Sequence, residues 1–311
     1  MAPAVSTLSL AAEAHDPAGF AAALGRSFER YGFAIVADHG IAAPLIAAAD
    51  AEARAFFALP EEAKRRYHQP SGGGQRGFTP FGIETAKGAL AHDLKEFWHV
   101  GRELAPGHRL EPLMPPNLWP VERPGFRPAM LALYAAFDAV GARLLAAIAR
   151  HLGLAPDFFV APVAEGNSVL RLLHYPPVAR AGRHLRAAAH EDINVITLLL
   201  GAEEAGLELR DCDGAWLPVR PDPGQLAVNI GDMLQRMTNG VLRSTTHRVA
   251  NPEGPDGARP RYSMPFFLHF RPDYLIETLP GCVSAARPAL HAGPITAHDY
   301  LAERLREIGL A

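Results

Sequence analysis

His190 and Asp192 stand two residues apart, directly in front of an apolar run, in RAAAHEDINVITLLLG (Arg186–Gly201). An imidazole and a carboxylate entering a protein core are costly unless they are paired or bind a cation. Along a strand, residues i and i+2 share a face. His190 and Asp192 are therefore expected to aim at one point, with Glu191 turned away toward a neighbour or solvent. One imidazole nitrogen and one carboxylate oxygen are two of the three donors that a facial metal site needs. His247, His269, His291 and His298 are the downstream candidates for the third. His247 and His269 lie in strand-like runs, while His291 and His298 lie in a C-terminal loop and helix. The pattern alone slightly favours His247.

Two histidines and a carboxylate, with the remaining positions open, suit non-haem Fe(II) and its oxygen chemistry. The bland alternative for His-x-Asp is a polar pair at a solvated strand mouth. A second feature weighs against it. RYSMPFF places Arg261 and Ser263 two apart, on one strand face, entering another apolar run. A guanidinium fork beside a hydroxyl is a receptor for a buried carboxylate. A structural Arg–Asp pair would satisfy the same arginine.

These side chains need a frame. Asp16-Pro17 reads as an N-cap with proline at the first helical position, opening a helix to about Tyr31. GFAIVADHGI (Gly32–Ile41) reads as a strand and turn, and Pro44 opens a second helix. LPEEAKRRY (Leu59–Tyr67) is a shorter helix with acids early and bases late, as the macrodipole favours. Residues 69–128 are mostly irregular, with LKEFWHVG as a candidate strand. Residues 70–80 and 104–128, rich in glycine and proline, are expected to form a mobile substrate lid. Ala129–Leu154 carries apolar residues at three- and four-residue spacing and is the longest helical pattern. Short strand-like runs follow: VLRLLHYPP, NVITLLLG, LELRDCDGAWLPV, QLAVNIGD, TTHRVAN and RYSMPFFLHFRP. Many short strands at regular spacing indicate a sandwich or barrel. Thr296, with Asp299 three residues on, caps a final helix.

Composition bounds the rest. Net charge is −3 with no block of like charges, so the basic stripe of a nucleic-acid binder is missing. Two cysteines, Cys212 and Cys282, make no disulfide framework, and a reducing cytoplasm is expected. No signal peptide is legible, and no apolar run approaches the length of about 20 residues that a membrane span needs. The expected partner is a small-molecule substrate, not nucleic acid or a membrane; composition leaves the oligomeric state open.

Taken in order, YGFAIVADHGI, FFALPEEAKRRY, HYPP, HEDINVITLLL, VNIGDMLQRMTNGVLRSTTHRV and RYSMPFF resemble the isopenicillin N synthase-like family of Fe(II)/2-oxoglutarate-dependent oxygenases over nearly the whole chain. The resemblance implies a mainly β fold with flanking helices (α+β), a double-stranded β-helix or distorted jelly roll. Residues 1–125 would be a helical, loop-rich region and residues 126–311 the catalytic core, in one integrated unit. It implies Fe(II) held by His190, Asp192 and His247, with 2-oxoglutarate and O2 as co-substrates. Arg261 and Ser263 match the pair that holds the distal carboxylate of 2-oxoglutarate, and Tyr175 a tyrosine that also reaches it. PFGIETAKG and KEFWHVGRE resemble segments flanking the pocket, which makes Phe81, Phe97 and Trp98 candidate substrate contacts. If Tyr175 faces the cavity, strand alternation puts Leu173 and Arg171 beside it, and Arg171 is a candidate for an anionic substrate group. Two departures stand out: Leu173 replaces a family asparagine, and Asp38 replaces another. The default activity is oxidation of a small molecule by hydroxylation, desaturation or cyclisation. A keto-acid-independent oxidase, as isopenicillin N synthase itself is, and a non-catalytic metal-dependent binder are the alternatives.

Overall fold

A computed structural model describes residues 5–70, 74–83, 93–177, 186–201, 206–251 and 260–307. The first part of the chain contains β1 (Thr7–Ser9), α1 (Pro17–Tyr31), β2 (Phe33–Ala37), α2 (Ala43–Phe57), α3 (Glu61–Arg65), β3 (Gly77–Thr79) and β4 (Glu96–Gly101). Next come α4 (Phe126–His151) and α5 (Val160–Ala164). The β-rich half has β5 (Val169–Tyr175), β6 (Ala187–His190), β7 (Ile196–Leu200), β8 (Leu207–Arg210), β9 (Trp216–Pro218) and β10 (Leu226–Ile230). It continues through α6 (Asp232–Met237), β11 (His247–Val249), β12 (Arg261–Ser263), β13 (Pro265–Leu268), β14 (Leu275–Ile276) and β15 (Ile295–Thr296) to α7 (Ala297–Glu307).

Local chemistry explains the boundaries. Asp16 Oδ1 accepts from the Gly19 N–H at 2.8 Å, and Gly32, at φ +67°, ends α1 in the left-handed conformation. Thr296 and Asp299 cap α7, the Asp299 N–H reaching Thr296 Oγ1 at 3.0 Å. The long helix begins at Phe126, three residues before the expected start, because Pro128 falls in its first turn, where no backbone N–H is needed. Asp38 adopts φ +52°, a region that aspartate tolerates nearly as asparagine does, so that exchange leaves the turn intact.

Most described strands fall into two sheets, and β14 and β15 form a separate pair. The larger sheet runs β1-β2-β10-β7-β13-β5-β4-β3, with β12 also pairing β5; the smaller runs β6-β11-β8-β9. This is the mainly β, helix-flanked architecture expected. Strands β1 and β2 from the N-terminal region extend one edge of the large sheet and β3 and β4 the other. α4 covers the outer face: Phe137 stacks on Phe266 at 5.4 Å, and Tyr134 meets the same ring edge-on at 4.9 Å. Among the described residues α4 alone is long and apolar enough to cross a membrane, although no such run was expected. Its apolar side instead lies in the core, with Phe126, Met130, Leu133, Phe137 and Leu144 all at 0% exposure.

The lid expectation fails for the parts that are described. Gly77–Thr79 is a buried strand paired with β4. Residues 71–73 lie outside the described set. The segment 104–128 is stapled down: Asn117 bonds both the N–H and the carbonyl of Gly101, at 2.7 and 2.9 Å. Glu122 accepts from the Tyr67 hydroxyl at 2.6 Å, and Arg123 pairs with Glu52 on α2 at 3.0 Å. Prolines here stiffen a brace, where the sequence reading saw a lid.

Candidate active site

His190 ends β6, and His247 begins β11 as its cross-strand partner. Asp192 lies beyond the end of β6, in the link to β7, so the two-apart residues do not share one strand. Here the chain leaves the small sheet for the large one, and that crossing brings the carboxylate around. Asp192 Oδ1 is 3.8 Å from His190 Nε2 and 3.8 Å from His247 Nε2, and the three donor atoms all lie within 4.8 Å of one another. Donors bound to one ion at about 2.0–2.2 Å sit about 3–3.5 Å apart, so small side-chain rotations close the set. Glu191 points outward and accepts from the Thr246 hydroxyl, as expected for the intervening residue.

Each donor is aimed by a second partner. His190 Nδ1 meets the Ala188 carbonyl at 2.7 Å, and His247 Nδ1 meets the Thr245 carbonyl at 3.1 Å. A carbonyl only accepts, so the proton is assigned to Nδ1 and the Nε2 lone pair is left for a metal. Asp192 Oδ2 accepts from Thr197 Oγ1 at 2.5 Å and from Asn229 Nδ2 at 2.8 Å, leaving Oδ1 toward the histidines. Thr197 and Asn229 are register partners on β7 and β10. The sequence reading missed both; each was visible as a lone polar residue inside an apolar strand. Burial pulls the His190 imidazole below its usual range, and His247 adds to the pull. Burial alone would raise Asp192, but the His247 and His190 charges and the Asn229 and Thr197 hydrogen bonds hold it below the usual carboxylate range. A His190 imidazole that gives up its proton readily, beside a carboxylate that stays ionised, suits metal binding.

A second polar cluster lies on β5 and β12. Arg261 pairs with Tyr175 in the strand register and Ser263 with Leu173. Arg261 is 2% exposed, and its guanidinium carbon lies 5.1 Å from the Tyr175 ring centre. Its Nε and Nη1 have no hydrogen-bond partner among the described residues. Buried guanidinium donors left without a partner are unfavourable, so these two suit an anionic ligand. Phe97, Leu173 and Tyr175 form a small apolar cluster beside it. Leu173, where the family has asparagine, thus adds apolar wall in place of a polar contact.

Arg171 shares the β5 face of Leu173 and Tyr175. Its Nε donates to His99 Nε2 at 2.6 Å, and its guanidinium lies over Phe97 at 4.4 Å and Phe267 at 5.2 Å. Phe97 and His99 therefore face the same space. Phe81 follows β3 and is 40% exposed, just ahead of the undescribed residues 84–92.

Trp98 is a correction. Adjacent strand residues point to opposite faces, and Trp98 is fully buried on the core side, 4.7 Å from Phe56 and 5.3 Å from Phe126. It is a packing residue, not a substrate contact. Trp98→Ala should cost about 3–5 kcal/mol of stability in urea denaturation; a loss below about 1 kcal/mol would contradict this placement.

The other candidate ligands lie outside the donor set. His291 meets Arg236 at 2.9 Å, and His298 sits on α7. His269 is buried, and burial pushes its imidazole down to about 4 from 6.5. The unfolded chain then binds a proton there that the folded protein does not, so stability falls as pH drops from 6.5 toward 4. From pH 7 to pH 5 this site should cost about 2 kcal/mol, a loss that His269→Gln removes. An unchanged difference between the two pH values in that variant would refute the assignment.

With the geometry in place, similarity to known proteins becomes informative. Residues 4–122 match the family described as non-haem dioxygenase in morphine synthesis N-terminal, and residues 166–270 match the 2OG-Fe(II) oxygenase superfamily. A proline hydroxylase, buaE, of Petromyces alliaceus is 36% identical over 295 residues, 90% of each chain. This chain belongs to the 2OG-Fe(II) oxygenase superfamily. The oxygenase also resembles a Caulobacter crescentus structure of the same family, with TM-score 0.93 and 54% identity over 98% of this chain and 99% of that one. Neurospora crassa T7H in complex with alpha-KG gives TM-score 0.85 and 27% identity over 96% and 95%. The enzyme is an Fe(II)- and 2-oxoglutarate-dependent dioxygenase acting on a small molecule, as the isopenicillin N synthase-like motifs implied. The donor set His190, Asp192 and His247 and the buried guanidinium of Arg261 are chemically fit for the metal and the co-substrate.

Proposed function

We propose that His190, Asp192 and His247 hold the Fe(II) of this oxygenase, and that Arg261, Ser263 and Tyr175 hold the distal carboxylate of 2-oxoglutarate. The iron supplies the redox chemistry by which the keto acid, with O2, is converted to succinate and CO2 while the substrate is oxidised. The protein supplies aim and dryness. The carbonyls of Ala188 and Thr245 hold the two imidazoles, Thr197 and Asn229 hold the carboxylate, and Phe97, Leu173 and Tyr175 keep water from the keto-acid chain. The observation that carries the reading is the buried Arg261 fork, two of whose donors have no partner among the described residues. Anaerobic loading with Fe(II) followed by 2-oxoglutarate, watched by absorption spectroscopy, tests it: a saturable new band is expected. No band and no keto-acid consumption would remove the Arg261 assignment and favour the keto-acid-independent oxidase.

The prime substrate is assigned to the wall formed by Arg171, Phe97 and Phe267, with its anionic group on Arg171. Whether it leaves hydroxylated, desaturated or cyclised depends on which of its C–H bonds this wall turns toward the iron. In a screen of small acids for faster succinate release, stimulatory acids should require about 10- to 100-fold higher concentration with Arg171→Gln, the loss of one charge-assisted hydrogen bond. Equal stimulation of both proteins would remove Arg171 from the substrate site. Both cysteines are free, which supports a reducing compartment such as the cytoplasm.

A further inference from the structure

Among the described residues, strand β6 lies at the edge of the small sheet and pairs only with β11. Its cross-strand pairs are His190 with His247 and Ala187 with Val249, and the register shifts between them, so Ala188 has no cross-strand partner on β11. The Ala188 carbonyl meets His190 Nδ1 at 2.7 Å. The Ala188 N–H donates to Asp93 Oδ1 at 3.1 Å. Asp93 precedes β4, an element of the other sheet, so this bond ties the two sheets together beside the donor set. The second Asp93 oxygen accepts from Lys95 Nζ at 2.8 Å. Asp93 and Lys95 are 4% and 7% exposed.

A buried ion pair is weak evidence for stability in itself, because desolvation offsets much of the attraction. What distinguishes this pair is how the carboxylate is divided: one oxygen to the ammonium, the other to the backbone of an edge strand. The geometry points to Asp93, neutralised by Lys95, as a positioning residue for the His190 metal ligand. Asp93 fixes the Ala188 peptide, and the carbonyl of that residue fixes the imidazole. The sequence offered no hint, since Asp93 and Ala188 are far apart in the chain and Asp93 reaches His190 only through the Ala188 peptide. The inference rests on His190 being a ligand, as proposed above.

Two charge-free double variants test it. Asp93→Asn/Lys95→Met keeps an amide oxygen for the Ala188 N–H; Asp93→Leu/Lys95→Met removes the acceptor. Both are titrated with Co(II), reading the dissociation constant and the visible band, and the metal-free proteins are compared by amide exchange at Ala188. The asparagine variant should bind Co(II) within about threefold of wild type and protect the amide. The leucine variant should bind about tenfold or more weakly, as for loss of an outer-shell partner, and lose the protection. Equal affinities and equal exchange in the two variants would overturn the proposal. If neither variant folds, the wild-type Ala188 amide decides: slow exchange supports the clamp, and exchange as fast as an exposed peptide overturns it. His247→Ala is the control for the underlying reading; if it still binds Co(II) with wild-type affinity, the metal assignment falls and the clamp with it.

Discussion

Arg261→Ala should weaken 2-oxoglutarate binding to the Fe(II)-loaded oxygenase by about 2–5 kcal/mol, roughly 30- to 5,000-fold. The guanidinium is 2% exposed and leaves Nε and Nη1 without partners among the described residues. A carboxylate arriving there completes a charge-assisted pair with little competition from water. Arg261→Lys should rescue only partly, because an ammonium cannot present a planar fork while packed against the Tyr175 ring. The readouts are the anaerobic absorption titration and the slow release of succinate by enzyme given 2-oxoglutarate without prime substrate. Both signals should disappear in the alanine variant at concentrations that saturate wild type, while Co(II) affinity without keto acid stays within about threefold. Unchanged 2-oxoglutarate affinity in Arg261→Ala would show that the keto acid lies elsewhere.

Metal affinity should fall in two grades. Asp192→Ala or His247→Ala removes a donor and should lower Fe(II) or Co(II) affinity by more than the 10- to 100-fold that typically accompanies loss of a supporting group. Thr197→Val removes a supporting group only and should fall within that 10- to 100-fold range. The physical difference is that Asp192 Oδ1 faces both histidine Nε2 atoms at 3.8 Å, whereas Thr197 touches Oδ2. Without the threonine the carboxylate keeps its bond to Asn229 but can turn, and the donor loses its aim. Isothermal titration under anaerobic conditions separates the grades. Thr197→Val as damaging as Asp192→Ala would mean that the fold around Asp192 had collapsed, and a melting temperature of the metal-free variant would show it. Asp192→Ala with wild-type affinity would remove the proposed metal site.

Much of the frame is legible because it depends on neighbours in sequence. Asp16 with Pro17, Thr296 with Asp299, and the alternation of VLRLLHY act over a few residues, and the matching caps and strand β5 are present. The face shared by Arg171, Leu173 and Tyr175 follows from the same two-residue period. That period also says that Phe97 and Trp98 cannot both face the pocket. Which of them does is decided by α4, since Trp98 packs against Phe126 and Phe56 on the covered side of the sheet.

The sequence by itself determined the types of donor: an imidazole and a carboxylate at a core entrance, an arginine and a serine on one strand face, and a β-rich half to carry them. Among His247, His269, His291 and His298 the pattern only leaned to His247 and the family resemblance named it; the tertiary structure gives the reason, because strand pairing sets His247 across from His190. It also placed Asp192 by a passage between two sheets, where strand alternation alone had suggested a shared strand. Asn229 and Asp93 became part of the site only through contacts between distant segments. Side-chain direction within an element is a local property of backbone geometry, whereas the meeting of elements depends on which apolar faces bury one another. The donors were therefore readable in the chain, and their convergence belonged to the fold.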